Sequence, residues 1–322
     1  MSTPTHSERP ASSLTRRGFL AKAGLGALAS YVTPTLLAAA DESPVALPKP
    51  AGAFEISALE LGHFERYTPE QTAEAYDQIG LDAEITVRKN GHIKPENAAA
   101  ELPVLAATLA KRNRKIASIA LDTVRPDEPN WPEVLKVAKQ LGIVQYRHRG
   151  FKYELGKPLK PQIANFHSMA KEFAAANKEI GVQALYQTHA TPVMAGGAVW
   201  DLDLILGDID PRYFGVAFDT RHVMVEQGQS WPNAINLIAP RIACLCVKNF
   251  RWDFDKPIAV PMSEGIVKKD IVDQVIAAAG HVPICLHVEY FGLVSGPFES
   301  NSPAIAAFKA DAAVLRGWLG IS

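Results

Sequence analysis

The feature that most constrains the fold is a regular alternation of short β-branched runs with longer helical periods from residue 54 onward. A short apolar run bounded by turn residues predicts a buried strand, and an apolar repeat every three or four residues predicts an amphipathic helix. The predicted strands are 54–61, 82–88, 115–121, 142–149, 181–188, 214–219, 241–249 and 282–289. The predicted helices are 69–79, 95–112, 130–140, 160–180, 199–207, 231–239, 268–280 and 303–319.

Eight strand–helix units in about 270 residues are typical of a (β/α)8 barrel, the TIM barrel. A doubly wound parallel sheet is the alternative, but it more usually has five or six strands. We therefore predict an α/β protein with one domain, a TIM barrel over residues 54–322. Functional groups in such a barrel come from the C-terminal ends of the strands and from the loops that follow them.

The first forty residues predict an export signal ahead of the barrel. Residues 15–22 read T-R-R-G-F-L-A-K, and an apolar stretch of small residues follows up to an A-A-A sequence at residue 40. A twin-arginine pair, a mildly apolar segment and a small-residue cleavage site resemble a Tat signal peptide over residues 1–40. An uncleaved membrane anchor is the alternative interpretation. The signal predicts a periplasmic or extracellular protein without a membrane span after processing, and the proline-rich residues 41–53 predict a linker.

The net charge of the chain limits the kinds of partner that it can bind. Residues 1–40 carry four basic residues and one acid, which leaves 29 basic and 33 acidic residues and a net charge of −4 beyond them. A nucleic-acid-binding protein would need a basic surface, so we predict no nucleic-acid partner.

The chain has three cysteines, and an odd number of cysteines does not make a disulfide framework. We interpret Cys244, Cys246 and Cys285 as buried free thiols, with a ligand pair as the alternative for the first two.

Polar side chains are concentrated at the predicted C-terminal ends of the strands, whereas the N-terminal ends are mostly apolar. This asymmetry predicts a functional site at one mouth of the barrel. The polar residues at these ends are Arg88, His92, Asp122, Arg147, His148, Arg149, Gln187, His189, Asp219, Arg221, His222, Lys248, Asn249, His287 and Glu289.

Several stretches resemble the sugar phosphate isomerase/epimerase branch of the xylose-isomerase-like TIM barrels. The most specific ones read F-D-T-R-H at 218–222 and L-H-V-E-Y at 286–290. Others read E-I-T-V-R-K-N-G-H-I-K-P-E at 84–96, A-L-Y-Q-T-H at 184–189, V-K-N-F at 247–250 and S-E-G at 263–265. The resemblance covers most of the predicted barrel, roughly residues 54–320.

The resemblance implies a divalent metal held by a Glu from strand five, an Asp from strand six, a His from strand seven and a Glu from strand eight. Asp219 and Glu289 match the second and fourth ligands, and His222 matches a histidine that contacts substrate in the family. Strand five offers Gln187 in place of Glu, and strand seven offers Lys248 in place of His. A Gln cannot accept a proton at neutral pH, so the two-base epimerisation of the family does not transfer directly.

Three interpretations of the metal position follow from these departures. In the first, Gln187, Asp219 and Glu289, with His189 nearby, hold Mn²⁺, Mg²⁺ or Zn²⁺. In the second, no metal binds, because the Lys248 ammonium supplies the positive charge between the two carboxylates. In the third, the site has lost its activity.

We predict an exported, carbohydrate-active enzyme of the isomerase/epimerase kind that removes a proton next to a sugar carbonyl. The predicted catalytic residues are Glu289, Lys248, His222 and His189, and the predicted substrate-binding residues are Arg88, His92, Arg147, His222 and Glu264. A cation beside the carbonyl oxygen would stabilise the enolate that forms in such a reaction.

Three alternatives use the same fold. A lyase or hydratase acting on keto-sugars or glycosides would use the same residues, and a non-catalytic sugar-binding barrel would explain Gln187 and Lys248 as remnants of lost catalysis. An AP-endonuclease-like barrel would need a basic DNA-binding face, and the net charge of −4 beyond residue 40 and the predicted export argue against it. The oligomeric state is left open by the sequence.

Overall fold

The computed structural model describes residues 54–60, 62–290 and 302–321. The predicted export signal and linker, residues 1–53, lie outside the described residues, so both stay predictions. Among the described residues, no helix combines the length and the apolar character needed to cross a membrane.

The described strands form a closed barrel of eight parallel strands, which confirms the predicted TIM barrel. Neighbours in the barrel follow the order β1-β10-β7-β6-β5-β4-β3-β2. The barrel strands are β1 Ile56–Leu59, β2 Asp82–Val87, β3 Ile116–Leu121, β4 Gln145–His148, β5 Gln183–Gln187, β6 Phe214–Asp219, β7 Ile242–Val247 and β10 Ile284–Leu286. The strands β8 Asn249–Asp253 and β9 Lys256–Val260 form a separate antiparallel hairpin.

The helices surround the barrel and follow the strands along the chain. They are α1 Pro69–Ile79, α2 Ala98–Ala110, α3 Trp131–Gln140, α4 Leu159–Ile180, α5 Trp200–Leu206, α6 Thr220–Gln227, α7 Trp231–Ile238, α8 Lys269–Ala279 and α9 Pro303–Leu319. The first helix shows how local sequence sets their bounds. Thr68 and Gln71 form a reciprocal capping box at its start, and Gly80 ends it in the left-handed conformation at φ 77°.

Two elements of the structure were not predicted from the sequence. Helix α6 begins directly after β6, because Asp219 ends the strand and also caps the helix, so no turn residues separate them. The hairpin β8–β9 follows β7 with one residue between, and the predicted strand 241–249 ran across this boundary. Strand β10 is also shorter than the predicted strand 282–289, so His287 and Glu289 lie beyond its end.

The apolar core has two layers. The larger one lies between the strands and the surrounding helices, and it includes Phe173, Phe214 and Phe308. A smaller cluster fills the barrel interior and comprises Leu59, Leu185, Ala217, Ala243, Cys244, Cys246 and Cys285. The three cysteines are buried and free, as predicted. Polar side chains lie on the same inner face of the strands, so the interior becomes polar toward one end.

Candidate active site at the barrel mouth

A cavity of about 270 Å³ opens at the C-terminal ends of the barrel strands. Its lining is strongly polar and comprises Arg88, Leu121, Asp122, Arg147, His148, Arg149, Gln187, His189, Lys248 and Glu289. These residues end or follow β2, β3, β4, β5, β7 and β10. The polar asymmetry seen in the sequence therefore corresponds to one cavity.

Asp219 connects the barrel to helix α6 and to the buried charges below the cavity. Its Oδ1 accepts a hydrogen bond from the backbone N–H of His222 at 3.1 Å, which caps the helix. Its Oδ2 accepts from Gln187 Nε2 at 2.8 Å and lies 3.1 Å from Lys248 Nζ. Burial would raise the pKa of this carboxyl, but the charge of Lys248 outweighs burial and lowers it well below its usual range. Asp219 is therefore held as a carboxylate.

Lys248 is a buried cation between two carboxylates. Its Nζ donates to Glu289 Oε1 at 2.8 Å and lies 3.1 Å from Asp219 Oδ2. Burial would lower the pKa of the ammonium, but the two carboxylates raise it overall. Thr220 secures the backbone here, since its hydroxyl donates to the Lys248 carbonyl at 3.1 Å. Lys248 is thus charged and positioned by both its side chain and its main chain.

His222 and His189 form a stacked pair beside Lys248. Their ring centroids are 3.9 Å apart with an interplanar angle of 28°. His222 Nε2 lies 2.9 Å from Lys248 Nζ, and an ammonium can only donate, so this nitrogen is the acceptor and the His222 proton is on Nδ1. Burial, assisted by the Lys248 charge, lowers the pKa of His222 to about 2 despite Asp219. Burial and Lys248 also lower the pKa of His189, so both rings are neutral near pH 7.

A continuous polar chain runs from this ion pair across the barrel. Gln187 donates to Asp219 and accepts at Oε1 from Arg147 Nη1 at 2.8 Å. Arg147 Nε in turn lies 2.8 Å from Glu84 Oε1, and Glu84 Oε2 accepts from the Ser118 hydroxyl at 3.1 Å. Because both ends of the Gln187 amide have partners, its orientation is determined by Asp219 and Arg147.

A group of three ligand-type side chains lies at the deeper end of this chain. Glu84, Cys285 and His287 each present one potential metal-ligand atom, and these atoms lie within 4.8 Å of one another. Cys285 Sγ donates to Glu84 Oε2 at 3.2 Å, and His287 Nδ1 lies 3.6 Å from Glu289 Oε1. Among the described residues, this is the group whose side chains are close enough together to hold a metal ion. The Arg147 guanidinium already neutralises its carboxylate.

Asp122 lies between two arginines at the outer wall of the cavity. Its Oδ1 is 3.8 Å from Arg88 Nε and 3.6 Å from Arg149 Nη1. Both distances exceed those of a normal hydrogen bond. The outer wall therefore carries two guanidinium groups that share one carboxylate without tight contact to it.

Three of the predicted substrate-binding residues, His92, His222 and Glu264, are not among those lining the cavity. His92 Nδ1 is 2.9 Å from Glu60 Oε2, and the Thr86 hydroxyl donates to the other oxygen of Glu60 at 2.8 Å. Glu264 is exposed in the turn before α8, near Tyr290 and Asp311. The S-E-G turn has a structural reason for its glycine, since a Cβ on Gly265 would lie 1.9 Å from Asn249 Oδ1.

Sequence reasoning omitted some residues from the candidate site that the structure brings into it. Glu84 lies within predicted strand two, and a carboxylate inside an apolar strand is a recognisable signal for a buried ion pair. Asp122 and His148 lie at predicted strand ends without an assigned role, and both line the cavity, as does Arg149. Arg88, Arg147, Gln187, His189, Lys248 and Glu289 line it as well, while Asp219 and His222 lie buried directly behind.

Comparison with solved structures shows the same barrel in several proteins. The IolI protein with a bound zinc atom has a TM-score of 0.65 and 12% identity, covering 83% of this chain and 98% of its own. A xylose isomerase-like TIM barrel protein from Mycobacterium smegmatis in complex with magnesium has a TM-score of 0.60 and 16% identity, covering 83% and 98%. D-psicose 3-epimerase from Clostridium cellulolyticum with D-tagatose has a TM-score of 0.58 and 11% identity, covering 83% and 99%. At these identities the likeness establishes the fold.

Family membership rests on the sequence match. Among curated protein sequences, none matches this chain. The profile of the family described as xylose isomerase-like TIM barrel matches residues 73–317, well over half of the chain. The chain belongs to the xylose isomerase-like TIM barrel family.

Proposed function

We propose that this protein is an isomerase/epimerase-like enzyme that removes a proton from the carbon next to a carbonyl group of a small carbohydrate. The observation that carries the proposal is the contact between Lys248 Nζ and Glu289 Oε1 at 2.8 Å, with both side chains lining the cavity. A carboxylate that can take a proton and a cation that can neutralise an enolate oxygen thus share one wall. The isomerase-like family and the epimerase among the similar structures agree with this chemistry.

The donor set does not fit the divalent metal that the family resemblance implies. The oxygens expected to hold it belong to Asp219 and Glu289, and Lys248 Nζ lies 3.1 and 2.8 Å from those same oxygens. The pKa of Lys248 is raised by the two carboxylates in spite of burial, so its charge is retained. A charged ammonium and a metal ion would repel each other at this distance. We infer that Lys248 supplies the positive charge here, and no step is assigned to a metal.

In the proposed reaction, Glu289 takes the proton from the substrate carbon. The electrons of the broken C–H bond form a C=C bond, and the negative charge moves to the carbonyl oxygen, where Lys248 stabilises it. Burial would raise the pKa of Glu289, but Lys248 and His287 lower it well below its usual value. Glu289 is therefore ionised and ready to accept a proton at neutral pH, although it is a weak base. The Lys248 cation compensates by making the substrate C–H more acidic.

His189 is the second group available for proton transfer. It lines the cavity, and its lowered pKa keeps the ring neutral, so it can carry a proton to or from the intermediate. Return of the proton to the same carbon from the other face would give an epimer, whereas return to the neighbouring carbon would give an isomer. Expulsion of a leaving group from the next carbon would give elimination.

The experiment that tests the proposal is proton NMR of candidate sugars with the full chain in D₂O. A panel of aldoses, ketoses, 3-keto-sugars and their acidic forms is incubated with the protein, and exchange of a sugar C–H for deuterium is followed. The proposal predicts catalytic loss of one C–H signal, with new sugar signals for isomerisation or alkene signals for elimination. Binding of a panel sugar without exchange at any position would reject the proposal in favour of a binding protein.

A further inference from the structure

The wall of the cavity has more positive than negative charge. Four cations line it, namely Arg88, Arg147, Arg149 and Lys248, against the two carboxylates Asp122 and Glu289. The whole chain has a net charge of only −1, so this excess is local. Such a concentration of one sign in a concave site raises the affinity for ligands of the opposite sign.

Pairing the charges one by one identifies where the excess lies. Lys248 is balanced by Asp219, Arg147 is balanced by Glu84, and Arg221 Nη1 lies 3.6 Å from Glu289 Oε2. Arg88 and Arg149 remain, and they share Asp122 at 3.8 and 3.6 Å. Glu84 and Glu65 also lie near Arg88, but Glu84 is paired with Arg147 and Glu65 accepts a hydrogen bond from Thr86, and neither forms an ion pair with Arg88 among the described contacts. The excess of one positive charge is therefore at the outer wall.

Several of the hydrogen-bond donors on this wall are unused. Arg88 Nε and Arg147 Nη2 are both buried and make no hydrogen bond within the described structure. Burial and the nearby charge of Arg147 lower the pKa of Arg88. Burying like charges side by side with unfilled donors costs stability unless an anion binds between them.

We propose that the cavity binds a singly charged acidic sugar, whose carboxylate is held by Arg88 and Arg149 beside Asp122. This proposal rests on the proposed function and names its substrate class. A planar guanidinium matches a carboxylate with two parallel hydrogen bonds, and one excess positive charge matches one carboxylate rather than a dianionic phosphate. The volume of about 270 Å³ suits a monosaccharide. The sugar ring would extend from the arginines toward Lys248 and Glu289.

Titration calorimetry with defined probes tests the proposal directly. The probes are D-glucuronate, D-galacturonate and D-gluconate, with D-glucose and D-galactose as neutral counterparts, glucose 6-phosphate as a dianion, and acetate as a simple anion. We expect at least one sugar acid to bind about tenfold or more tightly than the neutral sugars and the phosphate, the effect of one charge-assisted contact. Binding of none of the sugar acids, or acetate binding as tightly as they do, would overturn the proposal.

Two substitutions change the charge of the wall in opposite directions. Arg88→Met removes a guanidinium and is expected to lower affinity for the acid by about tenfold, a larger loss than for the neutral sugar, so that the preference for the acid disappears. Asp122→Asn removes the competing carboxylate and is expected to increase affinity for the acid several-fold. Arg125→Met is the matched control, because Arg125 is exposed and paired with Asp127 away from the cavity. An Asp122→Asn protein with unchanged or weaker affinity for the acid would also reject the proposal.

Failure of this inference is distinguishable from failure of the proposed function. Binding of a sugar acid without deuterium exchange would leave the anion subsite intact and remove the enzymatic proposal. Exchange into a neutral sugar, with no preference for the acid, would support the enzyme and remove the subsite.

Discussion

Lys248 Nζ lies 2.8 Å from Glu289 Oε1, and the two residues follow neighbouring strands of the barrel, β7 and β10. The sequence predicted this proximity, because alternate residues along a strand share a face and Glu289 has the same parity as Cys285 and His287. The contact joins an ammonium to a carboxylate that follows the last strand of the barrel. The charge state of each residue depends on the other, so substitutions at this pair give the most direct tests of the proposed function.

Glu289→Gln is expected to give a folded protein with almost no turnover. Gln keeps the volume and can still accept a hydrogen bond from Lys248, so the barrel should survive with a change of about 1 kcal/mol in stability. Loss of the general base should reduce the exchange rate by about 10²–10⁴-fold, measured by NMR in D₂O. Glu179→Gln on the exposed face of α4 serves as the control. Retention of most of the activity by Glu289→Gln would place the base elsewhere.

Lys248→Ala is expected to create affinity for Mn²⁺. Without the ammonium, the carboxylates of Asp219 and Glu289 lose their shared cation, and breaking a buried ion pair typically costs about 3–5 kcal/mol. The two carboxylates would then repel each other, and a divalent ion could relieve that repulsion. Mn²⁺ should therefore both bind the variant and raise its melting temperature. Calorimetric titration of wild type, Lys248→Ala and the exposed control Lys309→Ala measures the effect. Equal Mn²⁺ affinity in all three would contradict the view that Lys248 supplies the cation.

Stability should fall in mild acid, partly because of His148. This ring is buried among aromatic side chains and accepts a hydrogen bond from the Gly150 N–H at 3.0 Å. Burial lowers its pKa to about 3, whereas the unfolded chain has the ordinary value of about 6.5. Between pH 3 and pH 6.5, the unfolded state binds a proton at His148 more strongly than the folded state does. The stability that the neutral ring contributes is therefore present above pH 6.5 and is lost as the pH falls toward 3.

His148→Phe isolates this contribution. The variant keeps an aromatic ring but loses the acceptor for Gly150, so it should be less stable than wild type at pH 8. Its stability should then decline less steeply with acid, by up to about 1.4 kcal/mol per pH unit below pH 6.5. Urea unfolding at pH 8, 6 and 4.5 gives the comparison. Parallel curves for the two proteins would show that His148 does not titrate in this range.

Gly265→Ala is expected to destabilise the protein, in contrast to Gly317→Ala. A Cβ at position 265 would lie 1.9 Å from Asn249 Oδ1, and Asn249 joins β8 to the S-E-G turn through Met262 and Val267. Overpacking of this kind costs about 1–3 kcal/mol. Gly317 lies within α9 with no atom near its added Cβ, so Gly317→Ala should stabilise the helix by about 0.5–1 kcal/mol. Thermal unfolding of both variants measures the two changes in stability. Melting temperatures that shift in the same direction for both variants would contradict the prediction.

Arg16→Lys combined with Arg17→Lys is expected to retain the protein in the cytoplasm. The Tat pathway reads the arginine pair itself rather than its charge, so a conservative double change should stop export. Fractionation and immunoblotting of cells that express the full chain measure the distribution. Arg9→Lys, outside the pair, should be exported normally. Unaltered export of the double variant would remove the predicted localisation.

The sequence by itself determined the barrel and the mouth at which polar groups meet. The apolar periodicity can be read from each segment alone, because each strand and helix buries its own apolar face. Eight such strand–helix units are typical of a closed barrel. It also placed Asp219, Lys248 and Glu289 at one end, because parallel strands end on the same side. The elements that it missed, α6 and the hairpin β8–β9, are short and have no turn residues ahead of them.

Only the tertiary structure decided which charges are partners. Glu84 and Arg147 are 63 positions apart in the chain and pair across the barrel interior, and no local pattern indicates their 2.8 Å contact. His92 was expected at the substrate but is held by Glu60 instead. Asp122 comes to lie between Arg88 and Arg149 through the closure of β2, β3 and β4. Side-chain partners depend on distances across the closed barrel, which the order of residues along the chain does not contain.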